Sequence, residues 1–213
     1  VSSMGRETLE RFPEFDIAVD GEADWTIVHL LRALESGSDL NSVAGLLLRD
    51  GDAIVSTGKA PQLQTLDPLP FPAWDLLKGF PDAYRPAVFD FPRGPAATLA
   101  ASRGCPFHCR FCDTSTFGAR LRAYSPAKVV ELMRHLKERW GVRHIGFVDD
   151  LFLASRVRVM EFCDLLEEAR LGMTWTCTSR VDTVKPDVLE RMRATGCWEI
   201  SFGLETGSDE LLK

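Results

Sequence analysis

From residue 96 onward the chain repeats one pattern: a short apolar or small-residue run, a polar turn, then a stretch with helical periodicity. Four such repeats can be read, with strands at residues 96–102, 143–148, 173–178 and 198–203. Strands alternating with helices at this spacing make βαβ units and a parallel sheet, because the crossover between parallel strands needs a helix-length connection. The helix starts are marked. Ser125-Pro126 offers a serine N-cap followed by proline at the first helical position. Val129, Leu132, Met133, Leu136 and Trp140 then share one face. The next helix, residues 156–170, turns Val159, Phe162, Cys163, Leu166 and Ala169 inward, and Pro186 opens a third that closes at Gly196. The third strand alternates Met173, Trp175 and Cys177 against three threonines.

Directly after the first of these strands comes Ser102-Arg103-Gly104-Cys105-Pro106-Phe107-His108-Cys109-Arg110-Phe111-Cys112. Three thiols at C-x3-C-x2-C on one loop point to a shared metal centre, since soft thiolates select iron–sulfur clusters or zinc. A structural zinc site closes its tetrahedron with protein ligands, whereas a reactive centre keeps a position open. A zinc knuckle completed by His108 or Asp113 is the alternative reading of the same residues. Cys163, Cys177 and Cys197 lie inside periodic apolar segments and read as core.

The C-x3-C-x-aromatic-C pattern, here Cys105, Cys109, Phe111 and Cys112, resembles the cluster loop of the radical S-adenosylmethionine (radical SAM) superfamily. The resemblance implies a partial (β/α)6 barrel of which the first four β/α units are present. It also implies a [4Fe–4S] cluster on the three cysteines, with S-adenosylmethionine chelated at the fourth iron. Phe111 falls where the family's backbone meets adenine. Asp149 and Asp150 stand where many members carry an ammonium-binding Gly-Gly-Glu; this Phe-x-Asp-Asp form is similar to that of the cobalamin-associated subgroup. Arg180 falls at the cofactor carboxylate, with an ion pair to Asp182 or Asp149 as its other reading. Glu205, and more weakly Ser179, fall at the ribose hydroxyls. Each of these sits at a strand's C-terminal end, where parallel β/α folds collect their ligands. Arg103, Arg110, Arg120 and Arg122 flank the loop, either tuning the cluster or as solvated charges.

The N-terminal third reads differently. A strand at residues 15–19, the acidic turn Asp20-Gly21-Glu22-Ala23-Asp24 and a helix with Ile27, Leu30, Leu31 and Leu34 at helical spacing form one α/β unit that ends at Gly37. Asp50-Gly51 between apolar runs signals a β-hairpin. Residues 1–60 are similar to the tail of a Rossmann-like cobalamin-binding-type domain, and residues 61–95 to a Pro-rich interdomain linker. In that linker Leu69-Pro70-Phe71-Pro72-Ala73-Trp74-Asp75 should pack Phe71 and Trp74 on a domain face. Residues 96–213 would then be the radical SAM core, truncated after its fourth strand. The chain begins at Val1 and stops at Lys213 inside what reads as a fresh helix, so a piece of a longer protein is expected. The cobalt-ligating D-x-H-x-x-G motif is absent from these residues, which leaves cobalamin to the full-length protein only.

A net charge of −6 argues against a nucleic-acid surface, for which a basic face is the footprint. No apolar run is long enough to span a bilayer. Bunched and core cysteines, rather than a disulfide framework, read as cytoplasmic. The expectation is an enzyme of the cobalamin-domain subgroup, similar to magnesium-protoporphyrin monomethyl ester oxidative cyclase. It would cleave S-adenosylmethionine reductively to methylate or cyclise a small molecule, with a flavodoxin- or ferredoxin-type reductant. A methylthiotransferase, or a non-catalytic zinc module, is the alternative.

Overall fold

The computed structural model describes residues 4–84 and 91–211, which divide into two compact units. The first comprises residues up to 64 together with residues 107–120; the second comprises residues 65–106 and those from 121 onward.

In the first unit, α1 (Gly5–Arg11) leads to β1 (Ile17–Val19), α2 (Thr26–Ser36), β2 (Leu46–Asp50) and β3 (Ala53–Ser56). The strands form an antiparallel sheet in the order β1-β2-β3. Strand alternation assigns the faces. Ile17, Val19, Leu46 and Leu48 pack with Leu30 and Ala33 of α2, while Ala18 and Leu47 pack with Leu9 of α1. The hairpin forms as expected, with Asp50 paired to Ala53 and Gly51-Asp52 as its two-residue loop. Gly51 takes the left-handed φ of +58° that such turns require. Gly37 caps α2 at φ +66°. Of its periodic apolar residues Leu30 is buried, whereas Ile27, Leu31 and Leu34 are exposed.

In the second unit, β4 (Ala96–Leu99) is followed by a small antiparallel ladder of β5 (Ser102–Arg103) and β6 (Arg122–Ala123). Then come α3 (Pro126–Trp140), β7 (His144–Phe147), α4 (Arg156–Ala169), β8 (Thr174–Ser179), α5 (Pro186–Ala194) and β9 (Cys197–Phe202). Strands β4-β7-β8-β9 form one parallel sheet in sequential order. Each strand adds on the same side of its predecessor, which is how a β/α barrel grows, in contrast to a doubly wound sheet that reverses. Among the described residues this makes three β/α units and a fourth strand, the start of a partial barrel. β9 is an edge strand, paired among the described residues with β8 alone, and it exposes Trp198 and Phe202.

Alternation again divides the sheet. Ala97, Leu99, Ile145, Phe147, Trp175 and Cys177 are buried on one side, with Leu132, Met133 and Leu136 of α3 and Phe162 of α4 also in the core. Trp175 lies 5.4 Å from both Phe152 and Phe162, ring centre to ring centre, and its indole N–H donates to the Thr195 carbonyl. Thr98, Gly146, Thr176, Thr178, Glu199 and Ser201 line a groove on the other side. Of the three threonines expected opposite Trp175 and Cys177, Thr176 and Thr178 belong to the groove wall, while Thr174 shares a hydrogen bond of 2.9 Å with His144.

Helix α3 starts as read from Ser125-Pro126: the serine hydroxyl accepts the Lys128 N–H at 3.3 Å, and Gly141 closes the helix at φ +67°. The Pro-rich stretch packs as part of this unit from Thr65, and its residues 85–90 lie outside those described. Trp74 is buried, 6.0 Å from Trp140 and 6.2 Å from His135, and Phe71 lies 4.9 Å from His135. Both aromatics thus sit against α3, as expected of a stretch whose prolines deny it backbone donors. The fresh helix expected at the end of the chain reaches residues 212 and 213, which also lie outside the described residues.

Candidate metal and cofactor site

The approach to the first cysteine is built from three directions. The β5–β6 ladder pairs Ser102 with Ala123 and Arg103 with Arg122, and the Tyr124 N–H donates to the Ala101 carbonyl at 3.0 Å. From the end of β7, Asp149 Oδ2 accepts the Ala101 N–H at 3.0 Å while its Oδ1 accepts the Ser102 hydroxyl. Asp150 Oδ2 accepts the Gly104 N–H at 2.9 Å. From α4, Arg158 donates to the Ala101 carbonyl at 3.0 Å and to the Tyr124 carbonyl at 3.4 Å. Gly104 turns the chain at φ +83°, a conformation open to glycine and strained for other residues.

Asp149 is 4% exposed. Burial pushes its carboxyl above the usual carboxylate range, and the Ser102 hydroxyl, the Ala101 N–H and the field of Arg158 pull against that shift. Burial likewise lowers the affinity of Arg158 for its proton, and Asp149 raises it. The two groups offset each other's desolvation. Neither Arg158 nor Ser102 was singled out from the sequence. A lone arginine in a helix reads as a surface charge, and nothing in its spacing signals a buried partner nine residues earlier, just past the preceding strand.

Cys105 follows Gly104 and is partly exposed. In the first unit Cys109 is partly exposed and Cys112 exposed, with the Cys112 N–H donating to the Cys109 carbonyl at 3.1 Å. Phe111 is 70% exposed, a high value for so large an apolar side chain. Among the described residues no group of three or more Cys, His, Asp or Glu side chains is arranged to hold a metal ion. The donor chemistry nonetheless fits an iron–sulfur cluster: three solvent-reachable soft thiols on one short loop. Ligand sets of this kind are organised by the metal they bind.

Of the other residues expected at the site, Ser179 is buried and shares a hydrogen bond of 2.9 Å with the Thr183 hydroxyl. Arg180 holds Asp182 in a two-pronged pair, Nε to Oδ1 at 3.0 Å and Nη2 to Oδ2 at 2.7 Å. This is the ion pair weighed as its alternative partner, and at an exposed position it is worth little. Glu205 is exposed, with φ at +58°, in the left-handed region where non-glycine residues are uncommon. Of the four arginines near the loop, Arg122 is buried, not solvated, and Arg120 donates to Gln64 at 2.7 Å.

Residues 99–213 match the family model described as Radical SAM superfamily. The chain belongs to the radical SAM superfamily. Over 207 residues it is 32% identical to the uncharacterized methyltransferase PH0819 of Pyrococcus horikoshii, covering 97% of this chain and 44% of that protein. It is also 32% identical over 212 residues to the anaerobic magnesium-protoporphyrin IX monomethyl ester cyclase of Cereibacter sphaeroides, covering 96% and 34%. The chain therefore spans less than half the length of either relative. Among solved structures it resembles the cobalamin-dependent S-adenosylmethionine radical enzyme OxsB, with a TM-score of 0.79 over 97% of this chain and 30% of that one. At 22% identity that likeness shows the fold alone. Members of this superfamily use a [4Fe–4S] cluster and S-adenosylmethionine. Among the described residues no helix is long and apolar enough to cross a membrane.

Proposed function

We propose that this chain is the catalytic core of a cobalamin-associated radical SAM enzyme that methylates or oxidatively cyclises a small molecule in the reducing cytoplasm. The observation that carries the proposal is the C-x3-C-x2-C loop leaving the C-terminal side of the first strand of a parallel β/α sheet. The names of the relatives, methyltransferases and a cyclase, support the choice of reactions.

On this reading Cys105, Cys109 and Cys112 hold the cluster. Bound there, the cluster supplies an electron, delivered by a flavodoxin- or ferredoxin-type donor, for reductive cleavage of the sulfonium carbon–sulfur bond of S-adenosylmethionine. The chain's own residues bind and orient. The backbone at Phe111 meets the adenine, and Ser179 and Glu205 accept from ribose hydroxyls. Arg180 releases Asp182 to take the cofactor carboxylate, an exchange of one bidentate carboxylate for another. The polar groove wall of Thr98, Thr176 and Thr178 faces the substrate side of the sheet with hydroxyl groups. Residues 1–60 are the tail of the cobalamin-binding-type domain, and the cobalt ligand lies elsewhere in the full-length protein.

The test is anaerobic reconstitution with iron and sulfide. The expected result is about four of each per chain, as a [4Fe–4S] cluster requires. It should be accompanied by an electron paramagnetic resonance (EPR) signal of the reduced cluster that changes when S-adenosylmethionine is added. Stoichiometric zinc without sulfide would instead establish the zinc module and end the enzyme reading.

A further inference from the structure

We propose that Asp149 and Asp150 are positioning residues that clamp the main chain leading into Cys105, rather than the acceptors of the cofactor's ammonium group. The purpose of the clamp rests on the cluster reading above; its existence does not.

Four residues precede Cys105 after the end of β4 and Ala100, and three of them are held by the two carboxylates. Asp149 takes Ala101 through its N–H and Ser102 through its hydroxyl, using one oxygen for each. Asp150 takes Gly104 through its N–H. The turn at Gly104 needs such a restraint, because glycine loses the most conformational freedom when fixed. The Ala101 carbonyl is meanwhile filled by Tyr124 and Arg158, so both polar groups of that peptide are bonded.

Asp149 is also in the wrong place for an external ammonium. It is buried, both of its oxygens accept hydrogen bonds from the chain, and its countercharge is already supplied by Arg158. A second cation there would have to be desolvated against a guanidinium. Asp150 differs in being exposed, and that makes it the position on which the two roles can be told apart. A clamp needs a hydrogen-bond acceptor, which an amide oxygen supplies. An ammonium site needs the negative charge, which an amide lacks.

Two variants, Asp150→Asn and Asp150→Ala, are therefore compared with wild type. In the metal-free chain, amide hydrogen exchange at Gly104 should be about tenfold faster in Asp150→Ala, the factor carried by one ordinary hydrogen bond. It should stay near wild type in Asp150→Asn. After reconstitution, Asp150→Ala should lose iron on gel filtration and show an altered EPR signal before any S-adenosylmethionine is added; Asp150→Asn should restore both. Ser102→Ala, which leaves Asp149 itself intact, should speed exchange at residues 101 and 102 in the same way and covers the case that Asp149 variants do not fold. The clamp is overturned if both Asp150 variants keep wild-type exchange, iron content and cofactor-free signal while losing affinity for S-adenosylmethionine. Should wild type itself fail to load iron, the cluster reading falls; the exchange measurements still decide the clamp.

Discussion

The chain carries six cysteines, three on a loop and three in the barrel wall, and they share nothing but their element. Cys105 and Cys109 are partly exposed and Cys112 exposed, on backbone outside regular structure. Cys163 and Cys177 are buried between the sheet and its helices, and Cys197 begins the edge strand. Burial pushes the Cys163 thiol up; the hydrogen bond with Cys197, and then burial, push Cys177 up. A thiol held protonated in an apolar wall is a packing group, because only the thiolate attacks or ligates. Surroundings, not residue type, separate the two sets.

The sharpest way to break this division is to exchange losses. Cys109→Ala should abolish cluster assembly, read as absence of iron and sulfide after reconstitution, while Cys163→Ala should load as wild type. Iron retained in Cys109→Ala at the wild-type level would refute the ligand assignment. A gentler probe is iodoacetamide on the native metal-free chain, followed by mass spectrometry. Modification should appear on the loop cysteines within minutes and on Cys163 and Cys177 only after denaturation. Early labelling of Cys177 would mean that the sheet–helix interface opens.

Stability should divide the other way. Truncating the fully buried Cys163 to alanine should cost about 1–2 kcal/mol in chemical denaturation, in the ordinary range for a small core truncation. Cys112→Ala should stay within about 0.5 kcal/mol in the metal-free chain, as exposed substitutions do. The smallest effect is in the pH profile. In the unfolded chain a thiol ionises near its ordinary value of about 8.5, whereas Cys163 and Cys177 stay protonated in the fold. The unfolded state then binds fewer protons above that value, so stability falls as pH rises. The fall should be visible between about pH 8 and 9, on either side of the free-thiol value, and Cys163→Ala should reduce it; denaturation midpoints at the two pH values check it.

How far the sequence was readable follows from the range of the forces involved. Helix α3 is bounded by its own residues, a serine cap, a proline and a terminal glycine, and so it starts and stops where the sequence says. The hairpin at Gly51 and the alternation of Trp175 and Cys177 against threonines are equally local. The loop cysteines are readable because their chemistry is concentrated within eight residues. The partners of Asp149 are not readable. Ser102 and Arg158 lie 47 residues before it and 9 after it, and a carboxylate at the end of a strand looks the same whether it faces a cofactor or the backbone of its neighbour. The short α1 is not legible for a related reason: one buried leucine, Leu9, against the sheet gives no period to detect. In α2 the period was visible, yet it could not tell that Ile27, Leu31 and Leu34 lie outside the contact made by Leu30.

The outermost strand of the parallel sheet has a practical corollary. Among the described residues β9 pairs with β8 on one flank only, and it carries an exposed tryptophan and phenylalanine; an edge of this kind is the template that strand-by-strand association uses. We expect concentrated solutions of this chain to self-associate along that edge, and a lysine at Trp198 to suppress it; light scattering that stays flat with concentration for the unaltered chain would show the edge to be harmless.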